Sequence, residues 1–160
     1  MEGGAAVDAR TFQTEALKIE KLLYHISYAM LRNESDCEDA VQEAVLRAWQ
    51  RLPGLQNPQF FETWLTRIVI NECKSQLRRR SRRGETELSP QLAAPVSPEP
   101  ELHAALTALK WKYRVVLTLK YIDGYTIEEI ARILTLPRGT VASRLDQAKR
   151  LLRAQMKGEI

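Results

Sequence analysis

Cysteine and histidine are scarce in this chain of 160 residues, which contains two of each. They lie far apart in the sequence and show neither metal-site spacing nor a disulfide framework, at Cys37, Cys73, His25 and His103. The sequence also lacks a glycine-rich phosphate loop, a histidine paired with a nucleophile and a clustered carboxylate site for metals. We therefore expect no metal, no cofactor and no catalysis.

Long apolar runs are also missing, since no stretch approaches the roughly 18 residues that a membrane-spanning helix needs. The segment MEGGAAVDAR at 1–10 has neither the basic nor the apolar part of a secretory leader. Two isolated cysteines suit a reducing compartment. These features together lead us to expect a cytoplasmic protein.

Charge is plentiful and is arranged in alternating blocks. Four consecutive segments, 1–73, 74–83, 84–101 and 102–160, carry net charges of −4, +6, −4 and +6. The overall charge of +4 hides this alternation. Two separated basic blocks predict two separate contacts with one polyanion.

The apolar residues recur at helical intervals wherever a pattern is recognisable, which predicts an all-α fold. Between the helical segments lies GETELSPQLAAPVSPEP at 84–100, with four of the seven prolines and no aromatic residue. A structureless loop of this length is uncommon within a compact domain, so we interpret it as a flexible linker. We predict two small helical domains, 1–83 and 101–160, on a linker that could span roughly 55 to 60 Å when extended.

Three helical segments are predicted before the linker. The first, around residues 11–32, has an apolar stripe at helical spacing. The second opens at a capping box formed by Ser35 and Glu38 and ends at Pro53. Its inward face is apolar, and its outer face carries Asp39, Gln42, Glu43 and Leu46. Such an outer face is either ordinary solvated surface or a surface that binds another protein.

The third segment follows Asn57 and Pro58, which suit the N-cap and N1 positions of a helix. Its apolar residues recur at helical intervals and are predicted core positions: Phe61, Trp64, Leu65, Ile68, Val69 and Leu77. The same helix continues into the cationic block KSQLRRRSRR at 74–83. Because guanidinium groups suit phosphate contacts, we favour a nucleic-acid contact here over a disordered tail.

A helix-turn-helix is predicted at 124–153. Its first helix opens at a capping box formed by Thr126 and Glu129, and its second follows Pro137. The inward residues are Ile127, Ile130, Ala131 and Leu134, then Val141, Leu145, Ala148 and Leu152. The second helix also has a polar stripe with an arginine at its entrance: Arg138, Thr140, Ser143, Arg144 and Gln147.

These polar side chains are of the types that hydrogen-bond to base edges in the major groove, which admits an α-helix. Cations suited to phosphate contacts follow them at Lys149, Arg150 and Arg153. A polar stripe is also compatible with a solvated surface. The surrounding charge favours DNA, because residues 102–160 hold 11 basic and 5 acidic side chains.

Taken together, the segments resemble the extracytoplasmic-function (ECF) group of bacterial sigma-70 factors over nearly the whole chain. DCEDAVQEAVLRAW at 36–49 is similar to region 2.2 of that family, and FETWLTRIVINECKSQLRRR at 61–80 is similar to regions 2.3 and 2.4. GYTIEEIARILTLPRGTVASRLDQAKRLLR at 124–153 is similar to region 4.2, with Thr135 where many members have glycine. The three motifs in this order are more specific than any one alone.

This resemblance implies a non-catalytic subunit that directs core RNA polymerase to promoters with −10 and −35 elements. The first domain would bind core polymerase through Asp39, Gln42, Glu43 and Leu46, which would dock on the clamp helices of the β′ subunit. The β subunit would be a further partner. Its loop at 52–60 would meet the −10 strand, together with Asn71, Lys74, Arg78, Arg79 and Arg80. The second domain would read the −35 element through Arg138, Thr140, Ser143, Arg144 and Gln147, with phosphate contacts from Lys149, Arg150 and Arg153. An anti-sigma protein would be the inhibitory partner.

The residues by themselves leave two rival functions open. A stand-alone helix-turn-helix regulator would explain 124–153 but not 36–83. The other rival is an enzyme with a DNA-binding tail, such as a recombinase with a Ser or Tyr nucleophile. Tyr24 and Tyr28 have no clustered arginine or histidine around them in the sequence, which disfavours the enzyme.

Overall fold

The computed structural model describes residues 7–84 and 99–158, and in these ranges it contains helices and turns but no strand. The all-α prediction is confirmed. The helices are α1 Ala9–Lys18, α2 Glu20–Leu31, α3 Glu34–Arg51, α4 Phe61–Arg82, α5 Pro100–Ala108, α6 Trp111–Leu117, α7 Ile127–Leu134 and α8 Arg138–Met156. Most of the predicted linker at 84–100, and most of the segment MEGGAAVDAR, lie outside the described residues.

Helices α1 to α4 form a first bundle in which α3 and α4 pack most extensively and α2 contacts both. The predicted inward faces are confirmed, because Val41, Ala44 and Ala48 of α3 are buried against Leu65 and Val69 of α4. Between α3 and α4 the chain makes short 3₁₀ turns at Leu52–Gly54 and Pro58–Phe60. Asn57 was predicted to cap α4, but it caps this second turn instead, by accepting the Gln59 N–H at 3.0 Å. Helix α4 begins at Phe61 without a side-chain cap.

The single helix predicted around 11–32 was wrong, because the chain breaks between α1 and α2 at Ile19, which has φ −108° and ψ 8°. Helix α1 contacts both α2 and α4. Phe12 then packs edge-on against Trp49 and Phe61, with ring centroids 5.3 and 5.5 Å apart. The apolar stripe on which the prediction rested starts at Ile19 and continues along α2 to Met30, so it gave no information about the chain before the break.

The predicted start of α3 was also wrong. The N-cap is Asn33, whose side chain accepts the Asp36 N–H at 2.9 Å, and the helix begins at Glu34. Arg32 adopts a left-handed conformation at the end of α2, with φ 53°. This turn places Asn33 at the helix entrance, and Ser35 lies inside the first turn, where its hydroxyl is not the cap.

Helices α5 to α8 form a second bundle, in which α6 and α8 pack most extensively. Thr126 caps α7, as predicted, by accepting the Glu129 N–H at 3.2 Å. The return contact differs from an ideal capping box, because the Glu129 carboxylate accepts from the Thr126 hydroxyl. Ile133, which the predicted stripe omitted, is buried beside Ile130. A π-helical turn, Thr118–Ile122, extends α6.

The turn between α7 and α8 places Thr135 in the left-handed region, with φ 53°. Its N–H closes the end of α7 by donating to the Arg132 carbonyl at 3.3 Å. Left-handed backbone suits glycine and is strained for a β-branched residue. The turn of the helix-turn-helix is therefore made, at some cost, by threonine.

The two bundles pack against each other through α2 with α6 and α4 with α7. Their buried residues join in one continuous core, from Leu23 and Ile26 to Val116 and Ile130. None of the helices within the described ranges is both long enough and apolar enough to cross a membrane.

Candidate nucleic-acid and protein interfaces

The polar stripe of α8 forms a continuous face. At 3.6 residues per turn, Thr140, Ser143, Arg144 and Gln147 lie within roughly 100° of one another around the helix. Buried apolar residues hold the neighbouring side of the helix in the bundle: Val141, Leu145 and Ala148. The structure therefore brings four of the five predicted base-reading residues onto one face, on which Ser143 is exposed and the other three are half-buried.

Arg138 stands apart from this face. It begins α8 and lies on the side that faces α7, where its Nε is 2.9 Å from Oε1 of Glu128. Its side chain is 70% exposed, and exposed pairs of this kind are weak. The guanidinium is therefore free to exchange Glu128 for a phosphate, but it does not share the register of the other four.

The cations predicted to contact phosphate lie on the next face of α8. Arg150 pairs with Asp146 at 2.7 Å, and both side chains are more than 60% exposed. The Lys149 ammonium lies 6.0 Å from the Tyr121 ring centroid, and Arg153 is exposed. Asp146 is an acid within this basic face, and sequence reasoning did not consider what it does there.

The basic end of α4 carries polar side chains that are exposed to solvent and, beneath them, a network of ion pairs around a buried glutamate. Asn71, Arg78 and Arg79 are exposed. Glu72, only 2% exposed, receives Arg47 of α3 at 2.6 Å and Arg79 at 3.5 Å. This network joins α3 to α4 beneath the exposed cations.

Arg80 is used inside the protein. Its Nη1 donates to the Leu31 carbonyl at 2.8 Å, its Nη2 pairs with Asp36, and its side chain is 13% exposed. On a helical wheel it lies opposite Asn71 and Arg78. Arg80 is thus a tether between α4 and the end of α2, and we no longer place it on the DNA surface. The charge run of the sequence could not reveal which arginine faces inward.

Lys74 lies at the junction of the bundles, with its ammonium 5.9 Å from the Trp111 ring centroid. The loop that precedes α4 ends in Phe60, whose side chain is exposed. Sequence reasoning did not single out Phe60. An exposed aromatic ring in a loop beside a basic helix is a stacking platform for unpaired bases, so it joins the candidate contacts.

The acidic outer face of α3 is exposed as a unit, with Asp39, Gln42, Glu43 and Leu46 on one side of the helix. An apolar groove of about 510 Å³ runs beside it between α1, α2 and α3. Leu17, Leu46 and Trp49 line this groove and remain exposed. The sequence revealed only Leu46, because the groove forms from three helices.

Candidate nucleophiles are not activated. Burial raises the pKa of the Cys37 thiol to about 12 and that of Cys73 to about 11. Burial also raises the pKa of Tyr24 and Tyr28, the second despite the Arg32 guanidinium 4.7 Å from its ring. A nucleophile needs a lowered pKa or an adjacent base, so these groups give no support to a covalent enzyme.

The fold and its surfaces define an all-α DNA-binding protein with a basic helix in each bundle. Residues 17–83 match Sigma-70 region 2, and residues 100–152 match Sigma-70, region 4. The chain belongs to the sigma-70 family of RNA polymerase sigma factors, within its ECF group. It directs core polymerase to promoters and initiates transcription.

Similar proteins support this membership. The ECF RNA polymerase sigma factor SigW of Bacillus subtilis is 32% identical over 155 residues, which cover 84% of this chain and 83% of SigW. The ECF RNA polymerase sigma-E factor of Escherichia coli K12 is 32% identical over 134 residues, with 71% and 70% covered.

Two solved structures share the fold. The sigma factor RpoE in complex with the anti-sigma factor NepR from Bartonella quintana has a TM-score of 0.73 at 24% identity, covering 93% of this chain and 98% of that one. CnrH in complex with the cytosolic domain of CnrY has a TM-score of 0.68 at 25% identity, covering 96% and 92%.

Proposed function

We propose that the first bundle, 1–83, binds core polymerase and the −10 element, and that the second, 101–160, reads the −35 element. The segment 84–100 would then serve as the linker. The observation that carries this proposal is α8, which has a partly exposed polar face beside an apolar face that is buried. A helix of this kind, held from behind by a second helix, can enter the major groove.

In the second bundle, Thr140, Ser143, Arg144 and Gln147 would contact base edges. Arginine gives the most discriminating contact of the four, because its guanidinium can donate twice to one guanine. Arg138, Lys149, Arg150 and Arg153 would contact phosphates, since they lie outside the face that Arg144 shares.

In the first bundle, Asn71, Lys74, Arg78 and Arg79 would contact the −10 strand and its phosphates, with Phe60 stacking on an unpaired base. Capture of bases that have left the stack favours the open duplex, so strand opening follows from binding and needs no catalytic group. We infer that the protein is not an enzyme. Arg80 and Glu72 would position α4 against α2 and α3.

Core polymerase would dock on the acidic face of α3, with Leu46 and the adjoining groove as the apolar centre of the contact. The β′ clamp helices are the proposed partner, and the β subunit a further one. An anti-sigma protein is the proposed inhibitor, because the sigma factor RpoE, which shares the fold, was solved in complex with the anti-sigma factor NepR. The cytoplasm, where core polymerase is found, is the proposed compartment.

Transcription from a linear promoter by core polymerase and this protein alone tests the function. The promoter is first identified by mapping transcript 5′ ends after overexpression. We expect transcription to start at the mapped position. Failure with a matched core polymerase and promoter would instead support the stand-alone regulator.

The docking face has its own test. Asp39→Arg should weaken binding to core polymerase several-fold, because it reverses a charge at an interface. Glu15→Arg, a matched reversal on α1, serves as the control. Equal affinities for the two variants would remove Asp39 from the interface.

A further inference from the structure

The side of α8 that is most open to solvent carries an acid. Four exposed residues lie within roughly 60° of one another around the helix, at 3.6 residues per turn: Gly139, Ser143, Asp146 and Arg150. This exposed stripe borders the predicted base-reading face and shares Ser143 with it. Asp146 therefore lies on the surface that DNA would meet, beside a residue that is already proposed to contact bases.

The position of Asp146 along the helix also suits contact with bases. When a recognition helix enters the major groove, the residues of its N-terminal half reach the base edges. Gly139 and Ser143 have short side chains, which allow the groove to come close to the helix at this end. Asp146 follows Ser143 by less than one turn and lies in the first half of α8, which runs from Arg138 to Met156. Its carboxylate is therefore within the part of the helix that would face base edges.

The partner of Asp146 in the free protein is one that DNA can remove. Oδ2 of Asp146 accepts from Nη2 of Arg150 at 2.7 Å, and both side chains are more than 60% exposed. Exposed pairs of this kind are weak, so a phosphate can take the arginine. No other residue in the described ranges bonds to this carboxylate. Once Arg150 binds a phosphate, Asp146 lies unpaired beside a polyanion, and its cost to binding is removed only where the DNA offers a hydrogen-bond donor.

The major groove offers few donors. Only exocyclic amino groups donate there, N4 of cytosine and N6 of adenine. Adenine N6 adjoins the acceptor N7, and this combination matches the side-chain amide of asparagine or glutamine. A carboxylate has acceptors only, so it suits cytosine, whose edge in the groove presents the amino group alone. Guanine and thymine present acceptors, which repel a carboxylate.

We propose that Asp146 is a specificity-determining residue, which accepts a hydrogen bond from the N4 amino group of one cytosine in the −35 element while Arg150 binds a flanking phosphate. This inference rests on the proposed −35 role of the second bundle. It adds a base contact outside the polar face that the sequence predicted. Discrimination at that base pair should be about 5- to 100-fold, the range of one good contact between a side chain and a base.

Fluorescence anisotropy with the full chain tests this contact. The duplexes carry the −35 element of the mapped promoter and differ from it at single base pairs. The parent should prefer cytosine at one position by about 5- to 100-fold, and Asp146→Ala should remove that preference while leaving the others in place. Asp146→Asn should change the preference from cytosine to adenine, because the asparagine amide can bond to N6 and N7 together.

A matched control separates base reading from a general effect of charge. Glu101→Ala removes an exposed acid from α5 of the same bundle and should leave every base preference unchanged. Because Asp146 and Arg150 make only an exposed pair one turn apart, their variants should fold as the parent does, which melting curves check.

Two results would overturn the proposal. One is an Asp146→Ala variant that keeps every base preference of the parent. The other is a uniform change across all duplexes that Arg150→Ala reproduces, since Asp146 would then act only by holding Arg150. Failure of the −35 role itself gives a different result, because Arg144→Ala would also leave every preference unchanged and the parent would not distinguish the −35 duplex from unrelated DNA.

Discussion

The basic helix of each bundle uses its arginines differently. On α8, Arg138 and Arg150 make only exposed pairs, which solvent weakens and a phosphate can replace. On α4, Arg80 is committed to a carbonyl and a carboxylate at the edge of the core, and Arg79 reaches a buried glutamate. Similar composition thus serves recognition in one helix and a mixture of recognition and packing in the other. Positive charge alone does not identify a DNA contact.

The largest expected effect tests the packing role of Arg80. Arg80→Ala leaves the Leu31 carbonyl and Asp36 without their partner and should lower the free energy of unfolding by about 2 to 4 kcal/mol. Arg78→Ala, an exposed neighbour, should change it by less than about 0.5 kcal/mol. Urea denaturation measures both. If both variants lost the same free energy of unfolding, Arg80 would have no greater packing role than the exposed Arg78.

The next effect divides α8 into base and phosphate contacts. Arg144→Ala should cost about 1 to 3 kcal/mol of −35 binding and relax preference at one base pair. Arg153→Ala should weaken binding to all DNA sequences alike, and it should reduce the slope of the log binding constant against log salt concentration by about 1. Fluorescence anisotropy with single-substitution duplexes measures both variants. Uniform weakening by Arg144→Ala would make it a phosphate contact.

A smaller effect concerns the turn that sets α8 in place. Thr135→Gly removes the strain of a left-handed backbone, which stabilises the folded chain, but it also increases the conformational freedom of the unfolded chain, which opposes folding. The net result should be a free energy of unfolding larger by about 0.5 to 1 kcal/mol. The melting temperature should rise by roughly 1 to 4 °C. Calorimetry measures it, with Thr140→Gly as a destabilising control inside α8. A fall in melting temperature would show that the threonine side chain supports the turn.

The smallest effect concerns His103, which lies at the junction of the two bundles. Burial, and then the Arg32 guanidinium, lower the pKa of His103 below its ordinary value. Below about pH 6.5 the unfolded chain therefore takes up this proton more readily than the folded one, and stability falls as the pH falls. The parent should lose more stability than His103→Gln between pH 7 and pH 5. If the parent and His103→Gln lost the same stability between pH 7 and pH 5, the lowered pKa of His103 in the folded chain would be contradicted.

Sequence reasoning found the helices and most core faces, because burial imposes a 3.6-residue period that is readable in the chain. It missed the break at Ile19 and the Asn33 cap, because both depend on how α1 and α2 are directed by their neighbours. It placed four polar residues of α8 correctly on one face and Arg138 at the helix entrance, where α8 begins. It treated the arginines of α4 as equivalent, because an unbroken run of charged residues shows no helical periodicity that would identify the one facing the core.

The sequence by itself determined the helical class, the capped start of α7 and the neighbouring apolar and polar faces of α8. Each of these depends on residues within one or two turns of each other, and the physics that selects them is local. Only the tertiary structure decided that Arg80 is a tether, that the Lys74 ammonium lies over the Trp111 ring and that Arg67 and Arg114 cap helices of the opposite bundle. Those outcomes join residues far apart in the chain, where the fold alone determines which groups meet.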